Sequence, residues 1–312
     1  MKSVFDRPRL LLTLASVFWA SNVVLARWLG AATPPITLAF LRWGIATLIL
    51  LPFTLPHLKR EFGLILKNWR ILLFLGITGP AIFNTLSYLG LVSTEAINGL
   101  VLNAAGPMFI ALAAWSIFGD RLGLSQLIGM VTGFVGVILI IAKGDLSSLQ
   151  ALRFNPGDLL FIAGTISWAV YTAFLRKRPA ISWQSYNLVT YAVAAAANAP
   201  FVFVEYHLGG VMTVNWLTIS SVVVLAIFPS LLAYIIYNRA VEQLGPAAAG
   251  LYLFLIPIFG ALLAMLSLGE RPHPFHLIGF ALIIAGVVIG SRSGVKRLRV
   301  SGPADQIVTE GQ

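Results

Sequence analysis

The chain has no cysteine, which excludes disulfides, thiol catalysis and thiolate-held metal and leaves the redox compartment open. Charge is scarce: 10% of the 312 residues are Asp, Glu, Lys or Arg, against about 25% in soluble domains. That is too few to coat a water-facing surface of this size. Carboxylates are scarcest, 11 against 21 lysines and arginines, and none falls deep in an apolar run. Glu95, Asp120, Asp158, Glu205 and Glu270 all sit near the ends of runs. The four histidines (57, 207, 273 and 276) lie in loops or at run edges. His273 and His276 have ligand spacing but no carboxylate beside them, so no metal is expected. No Ser-His-Asp set, phosphate loop or haem-ligand pair is visible, so neither an enzyme nor a cofactor is expected. An ATPase domain is also missing, so any transport is not ATP-driven by this polypeptide.

Apolar residues make up 58% of the chain, with a mean hydropathy of +0.89. They come in runs of about 20, the length a helix needs to cross roughly 30 Å of hydrocarbon. The composition therefore indicates an all-α polytopic membrane protein. The net charge of +10 would suggest nucleic acid in a soluble protein. Here the cations sit in short loops and tails, where they set topology and meet anionic headgroups, so the expected partner is the bilayer and not nucleic acid. The run from Leu10 to Trp28 follows Lys2, Arg7 and Arg9 like a signal peptide. It is too long for one and has a counterpart later in the chain.

The stretch from Pro107 to Ile141 occurs twice. It returns from Pro257 to Gly290 at an offset of 150 residues, with Phe109 on Phe259, Gly119-Asp120-Arg121 on Gly269-Glu270-Arg271, and Gly136 on Gly286. Trp19 and Arg27 likewise align with Trp168 and Arg176. Duplication on this scale is a statement about the fold. Ten spans are expected, near 10–29, 34–55, 71–91, 96–118, 124–142, 157–175, 184–205, 216–238, 246–268 and 275–291. The longest polar stretches are then 56–70, 143–156 and the tail after Arg292. With the N-terminus inside, 16 Lys and Arg fall in inner segments and four in outer ones, which places both termini in the cytoplasm. Five spans per half is an odd number, so the second half enters the membrane inverted. The expected architecture is ten transmembrane helices in two inverted five-helix repeats, 1–150 and 151–291, with a polar tail, 292–312. Such repeats are typical of secondary transporters with a central site.

FWASNVVLAR, PPITLAFLRWGIATLILLPF, GDLLFIAGTISWAVYTAFLRK, LFLIPIFGALLAMLSLGE and HLIGFALIIAGVVIG resemble the drug/metabolite transporter (DMT) superfamily, in its ten-helix, duplicated EamA-type branch. Within that branch the chain is most similar to exporters of aromatic amino acids. The resemblance implies a central cavity lined by spans 1, 3, 4, 6, 8 and 9, with spans 5 and 10 at the back. It also implies outward transport across the cell inner membrane, by a monomer or homodimer.

Several residues have two readings. The Gly129/Gly133 and Gly286/Gly290 faces serve packing within the monomer or a homodimer seam. Pro107 and Pro257 are hinges next to a site or static kinks. Arg42, inside the second span, is costly unless paired or wetted. It is either a substrate ligand or a structural arginine, and its repeat counterpart is near Thr190. Trp19 and Trp168 form an aromatic wall for substrate or pack helices together. The remaining substrate-binding candidates are polar groups at membrane depth, each needing a partner: Asn22, Asn84, Tyr88, Asn98, Asn103, Tyr171, Tyr234, Asn238 and Tyr252, with Tyr237 beside them. Asp120 and Glu270 read as caps or pairs with Arg121 and Arg271. A proton-coupled exporter of cations usually keeps a carboxylate in its site, and a sugar-phosphate carrier would want several cations. A cavity of amides, phenols and indoles with one arginine suits a neutral or zwitterionic small molecule with apolar bulk, such as an amino acid. Other small metabolites and amphipathic cationic drugs remain alternatives.

Overall fold

The computed structural model describes residues 4–29, 33–94, 96–145, 147, 149, 153–268 and 273–292, and among these it is helical with no strand. α1 is Pro8–Leu29 and α2 is Pro35–Lys67. α3 (Trp69–Gly76) and α4 (Asn84–Ser93) are joined by a π-helical segment, Ile77–Phe83. α5 (Ala96–Ala104) and α6 (Gly106–Phe118) meet at a bend of 40°. α7 is Leu124–Ile141. α8 (Pro156–Phe174) and α9 (Trp183–His207) follow. α10 (Trp216–Leu225) and α11 (Ala233–Leu244) enclose a second π-helical segment, Ala226–Leu232. α12 (Pro246–Leu251) passes through the 3-10 turn Tyr252–Phe254 into α13 (Leu255–Leu268), and α14 is Pro274–Gly290.

Among the described residues, seven helical stretches are long and apolar enough to cross a membrane, or eight if the bent α5–α6 pair is one span. Every segment expected to span is helical. The polar stretch expected over 56–70 is a correction: α2 runs through Pro52 and Pro56 to Lys67. Its last turns alternate exposed Phe62 and Leu66 with Lys59, Arg60 and Lys67, an amphipathic surface that a search for apolar runs misses.

The two π-helical segments have one cause. Pro80 and Pro229 sit inside them. Proline offers no N–H to the carbonyl four residues back, and widening the turn is one way to accommodate the loss. The Gly119 and Gly245 backbones, both with positive φ, end α6 and α11 where a side chain would be strained.

α7 and α14 pack backbone to backbone. A Cβ on Gly129 would meet the Gly286 carbonyl at 2.5 Å, and one on Gly136 would meet the Gly279 carbonyl at 2.8 Å. The small-residue faces are thus used inside the monomer. α2 and α9 cap each other reciprocally. Glu205, near the end of α9, accepts from the Ile36 and Thr37 amides (2.9 and 2.7 Å) at the start of α2. Glu61, near the end of α2, accepts from the Ser182 amide and hydroxyl (3.0 and 2.8 Å) at the start of α9. Each carboxylate fills donors that a helix N-terminus leaves open.

Candidate functional site

α1, α2, α8, α9 and α11 each bring an aromatic side chain to one place in the core. Trp19 meets Trp168 edge-on at 5.5 Å, Tyr234 at 6.0 Å and Tyr237 at 5.1 Å. Trp168 also contacts Tyr171 and Phe83. Trp43 packs on Tyr191 at 5.1 Å and on Tyr234 at 4.9 Å. Trp168, Tyr171, Tyr191, Tyr234 and Tyr237 are all buried. Rings at these separations and tilts attract beyond the apolar area they hide.

Most polar atoms of this cluster are tied off, although among the described residues the Trp43 indole nitrogen has no partner. Trp19 Nε1–H donates to the Pro229 carbonyl at 3.0 Å, in the second π-helical segment. Ser167 beside Trp168 does the same for Thr78 in the first, at 2.7 Å. Tyr171 donates to Asn238 (2.8 Å), whose amide nitrogen donates to Asn187 (3.2 Å). Asn84 donates to the Tyr234 hydroxyl and to the Pro80 carbonyl, both at 3.0 Å. Membrane-depth amides need such partners.

Arg42 is different. Its side chain is buried at 2% exposure and makes one hydrogen bond, from Nε to Ser230 Oγ at 2.9 Å. Ser230 passes its own proton to the Leu225 carbonyl at 2.8 Å. The guanidinium carbon lies 5.6 Å from the Tyr88 ring centre and 6.0 Å from that of Trp43, within reach of cation–π attraction. Tyr88 makes a long 3.4 Å bond to Asn22. Among the described residues Nη1 has no partner, and no carboxylate pairs with Arg42.

The structure thus brings Trp19, Asn22, Arg42, Asn84, Tyr88, Trp168, Tyr171, Tyr234 and Asn238 into one connected region. Three candidates lie apart. Asn98 donates to the Arg153 carbonyl and to Asp158, both at 2.9 Å, and so belongs to the capping network at the start of α8. Asn103 is exposed. Tyr252 is buried in the 3-10 turn, where its carbonyl accepts from Ser16 at 2.8 Å, and it joins no ring of the cluster. Pro107 stands in the first turn of α6, just past the 40° bend, and Pro257 stands in the first turn of α13. Glu95 and Glu270 lie outside the described residues. Asp120 pairs with Arg176 and not with Arg121, which is exposed. The α6–α7 turn points Asp120 back at the end of α8. Arg178 at that end pairs with Glu242 of α11.

Trp43, Tyr191, Ser230, Pro80 and Pro229 were not among the candidates. A signal existed for the first two. The expected repeat counterpart of Arg42 is near Thr190, which puts the aromatics Trp43 and Tyr191 close to matched positions.

A profile of the EamA-like transporter family matches residues 8–142 and again 155–292. The chain is 28% identical to the uncharacterized transporter YyaM of Bacillus subtilis over 91% of its own length and 92% of the relative's. It is 24% identical to a probable terminal-alkyne amino-acid exporter of Streptantibioticus cattleyicolor, over 92% and 97%. Identity to an S-adenosylmethionine uptake transporter of Rickettsia felis is 25%, over 87% of each. A crystal structure only 19% identical matches with a TM-score of 0.77 over 94% of this chain and 99% of that one, and so shares its fold.

Proposed function

The chain belongs to the EamA-like transporter family, a multi-pass membrane transporter and not an enzyme, and from that premise we propose that it carries amino acids, aromatic and other apolar ones included, outward across the cell inner membrane. The observation that carries this reading is the pairing of an aromatic cluster with a buried arginine that, among the described residues, has one hydrogen bond and no carboxylate. An apolar side chain suits the first and a carboxylate suits the second. An amphipathic cation would meet a like charge at Arg42, which disfavours that alternative. Two relatives bear names that mention amino-acid chemistry: one an amino-acid exporter, the other an uptake transporter for S-adenosylmethionine, itself an amino-acid derivative. They differ in direction. The outward direction here rests on the resemblance to exporters.

In this reading the chain crosses the bilayer ten times, as two inverted repeats over 1–150 and 151–291, with both termini cytoplasmic. Support comes from the twofold family match and from π-helical segments at Pro80 and Pro229, placed at nearly the interval of the sequence repeat. Alternating access would close the two sides in turn, with the 40° bend next to Pro107 and the 3-10 turn before Pro257 as the flexing points. The Asp120–Arg176 and Arg178–Glu242 pairs would hold the cytoplasmic side shut in the form seen here.

The test is counterflow in proteoliposomes. Purified protein is preloaded with unlabelled amino acid and offered a labelled panel, with and without pH and Na⁺ gradients. Saturable accumulation of amino acids that ignores both gradients is the expected result. If no amino acid moves, the substrate class is wrong. Accumulation only under a pH gradient would bring a carboxylate, Glu95 first, into the mechanism.

A further inference from the structure

We propose that Arg42, aimed by Ser230, is the receptor for a single carboxylate on the transported molecule, and that Ser230 is the positioning residue that makes it selective. This rests on the amino-acid reading above and deepens it.

A guanidinium has five N–H donors and a permanent charge. Arg42 spends one donor, on Ser230. Its head is buried, Nη1 is without a partner, and no described acid compensates it. A charge left so in a membrane interior is strongly destabilising unless an anion arrives to meet it. The missing partner is a planar oxyanion able to take parallel hydrogen bonds from the guanidinium edge.

The way the head is held decides which edge is offered. Leu225 lies four residues before Pro229, so its carbonyl lacks the usual helical N–H donor. The wider π turn brings the residue-230 amide to it in place of residue 229, and the Ser230 hydroxyl donates to it as well, at 2.8 Å. With that proton committed, the Ser230 oxygen can only accept from Arg42, and it takes Nε. The Nη edge is what remains. The proline of α10–α11 thus fixes the serine, the serine fixes Nε, and the far edge is presented for binding. Tyr88 and Trp43 rings flank the head. Asn22, which accepts the long bond from Tyr88, offers an amide oxygen for an ammonium group. One positive charge matches one carboxylate. It does not neutralise a phosphate dianion, and it repels an amine lacking a carboxylate.

The experiment compares three molecules that share one ring, phenylalanine, 3-phenylpropanoate and phenylethylamine. Each competes with labelled phenylalanine in proteoliposomes of the full-length protein. Each also serves as a stabilising ligand in thermal unfolding of the detergent-solubilised protein. The two acids should compete and stabilise, and the amine should be weaker by about tenfold or more. Arg42→Gln should erase the preference for acids, while Arg42→Lys, which keeps a point charge, should retain part of it. Ser230→Ala should raise KM for both acids about tenfold with kcat little changed, and Ser230→Thr, which restores the hydroxyl, should recover it. The proposal is overturned if the amine matches the acids in the wild type. A Ser230→Ala effect that lowers stability, strikes all three molecules alike and is not recovered by threonine overturns the positioning role. If phenylalanine does not move at all, the amino-acid reading fails by itself. The thermal shifts of acid against amine then decide the carboxylate receptor independently.

Discussion

The α7–α14 seam and the layer around Arg42 lie in the same apolar bundle and are built on opposite terms. At the seam, glycines let two backbones touch, and a Cβ at Gly129 or Gly286 would collide with the facing carbonyl. Nothing polar is left over there. In the Arg42 layer, a buried guanidinium has one hydrogen bond and an unused Nη1. Between helices in lipid there is little hydrophobic drive, so close contact has to supply the attraction. A buried charge there needs a partner. The seam is complete without a ligand, whereas on the reading proposed above the Arg42 layer is completed by substrate.

Substitutions should separate the two. Gly129→Leu should have the largest effect, because the Gly286 and Gly290 backbones cannot yield to it. A loss of at least about 3 kcal/mol is expected, visible as loss of the monodisperse peak in size exclusion. A folded Gly129→Leu would show the seam to be looser than its contacts. Arg42→Gln should do the reverse: uptake falls by about tenfold or more while the size-exclusion profile and melting temperature stay near wild type. Normal uptake would return Arg42 to a structural role. Next is Trp168→Phe, which keeps a ring but loses the larger indole contacts with Trp19, Tyr234 and Tyr237. Aromatic substrates should lose roughly two- to tenfold more than aliphatic ones; an equal loss would make the ring pure packing. The smallest effect should come from the Asp120–Arg176 pair, whose Asp side chain is 36% exposed. A double-mutant cycle with Asp120→Asn and Arg176→Gln, read by thermal unfolding, should give a coupling of about 1 kcal/mol or less.

The helical membrane class and the pairing of Trp19 with Trp168 were legible because each leaves a local trace: run length, or a match at a fixed offset. The bend beside Pro107 was legible for the same reason. What escaped depends on who stands opposite. Glu205 looked like an ordinary run-end carboxylate and Glu61 fell in the polar stretch 56–70; only the antiparallel packing of α2 and α9 reveals them as caps. Ser230 is one serine among many until the π turn at Pro229 sets its hydroxyl against the Leu225 carbonyl. The end of α2 was misplaced because the chain turns from apolar to amphipathic after residue 55, yet the helix continues through Pro52 and Pro56 to Lys67.

The reciprocal capping of α2 and α9 has a mechanical consequence. Sliding one helix along the other by a turn, about 5.4 Å, would pull Glu205 off Ile36 and Glu61 off Ser182 together. Displacement in either direction strains both ends, so the pair resists shear like a beam pinned at two points. Whatever rearrangement accompanies a transport cycle would carry α2 and α9 as one lever. Arg42, part-way along that lever, would travel with its whole length.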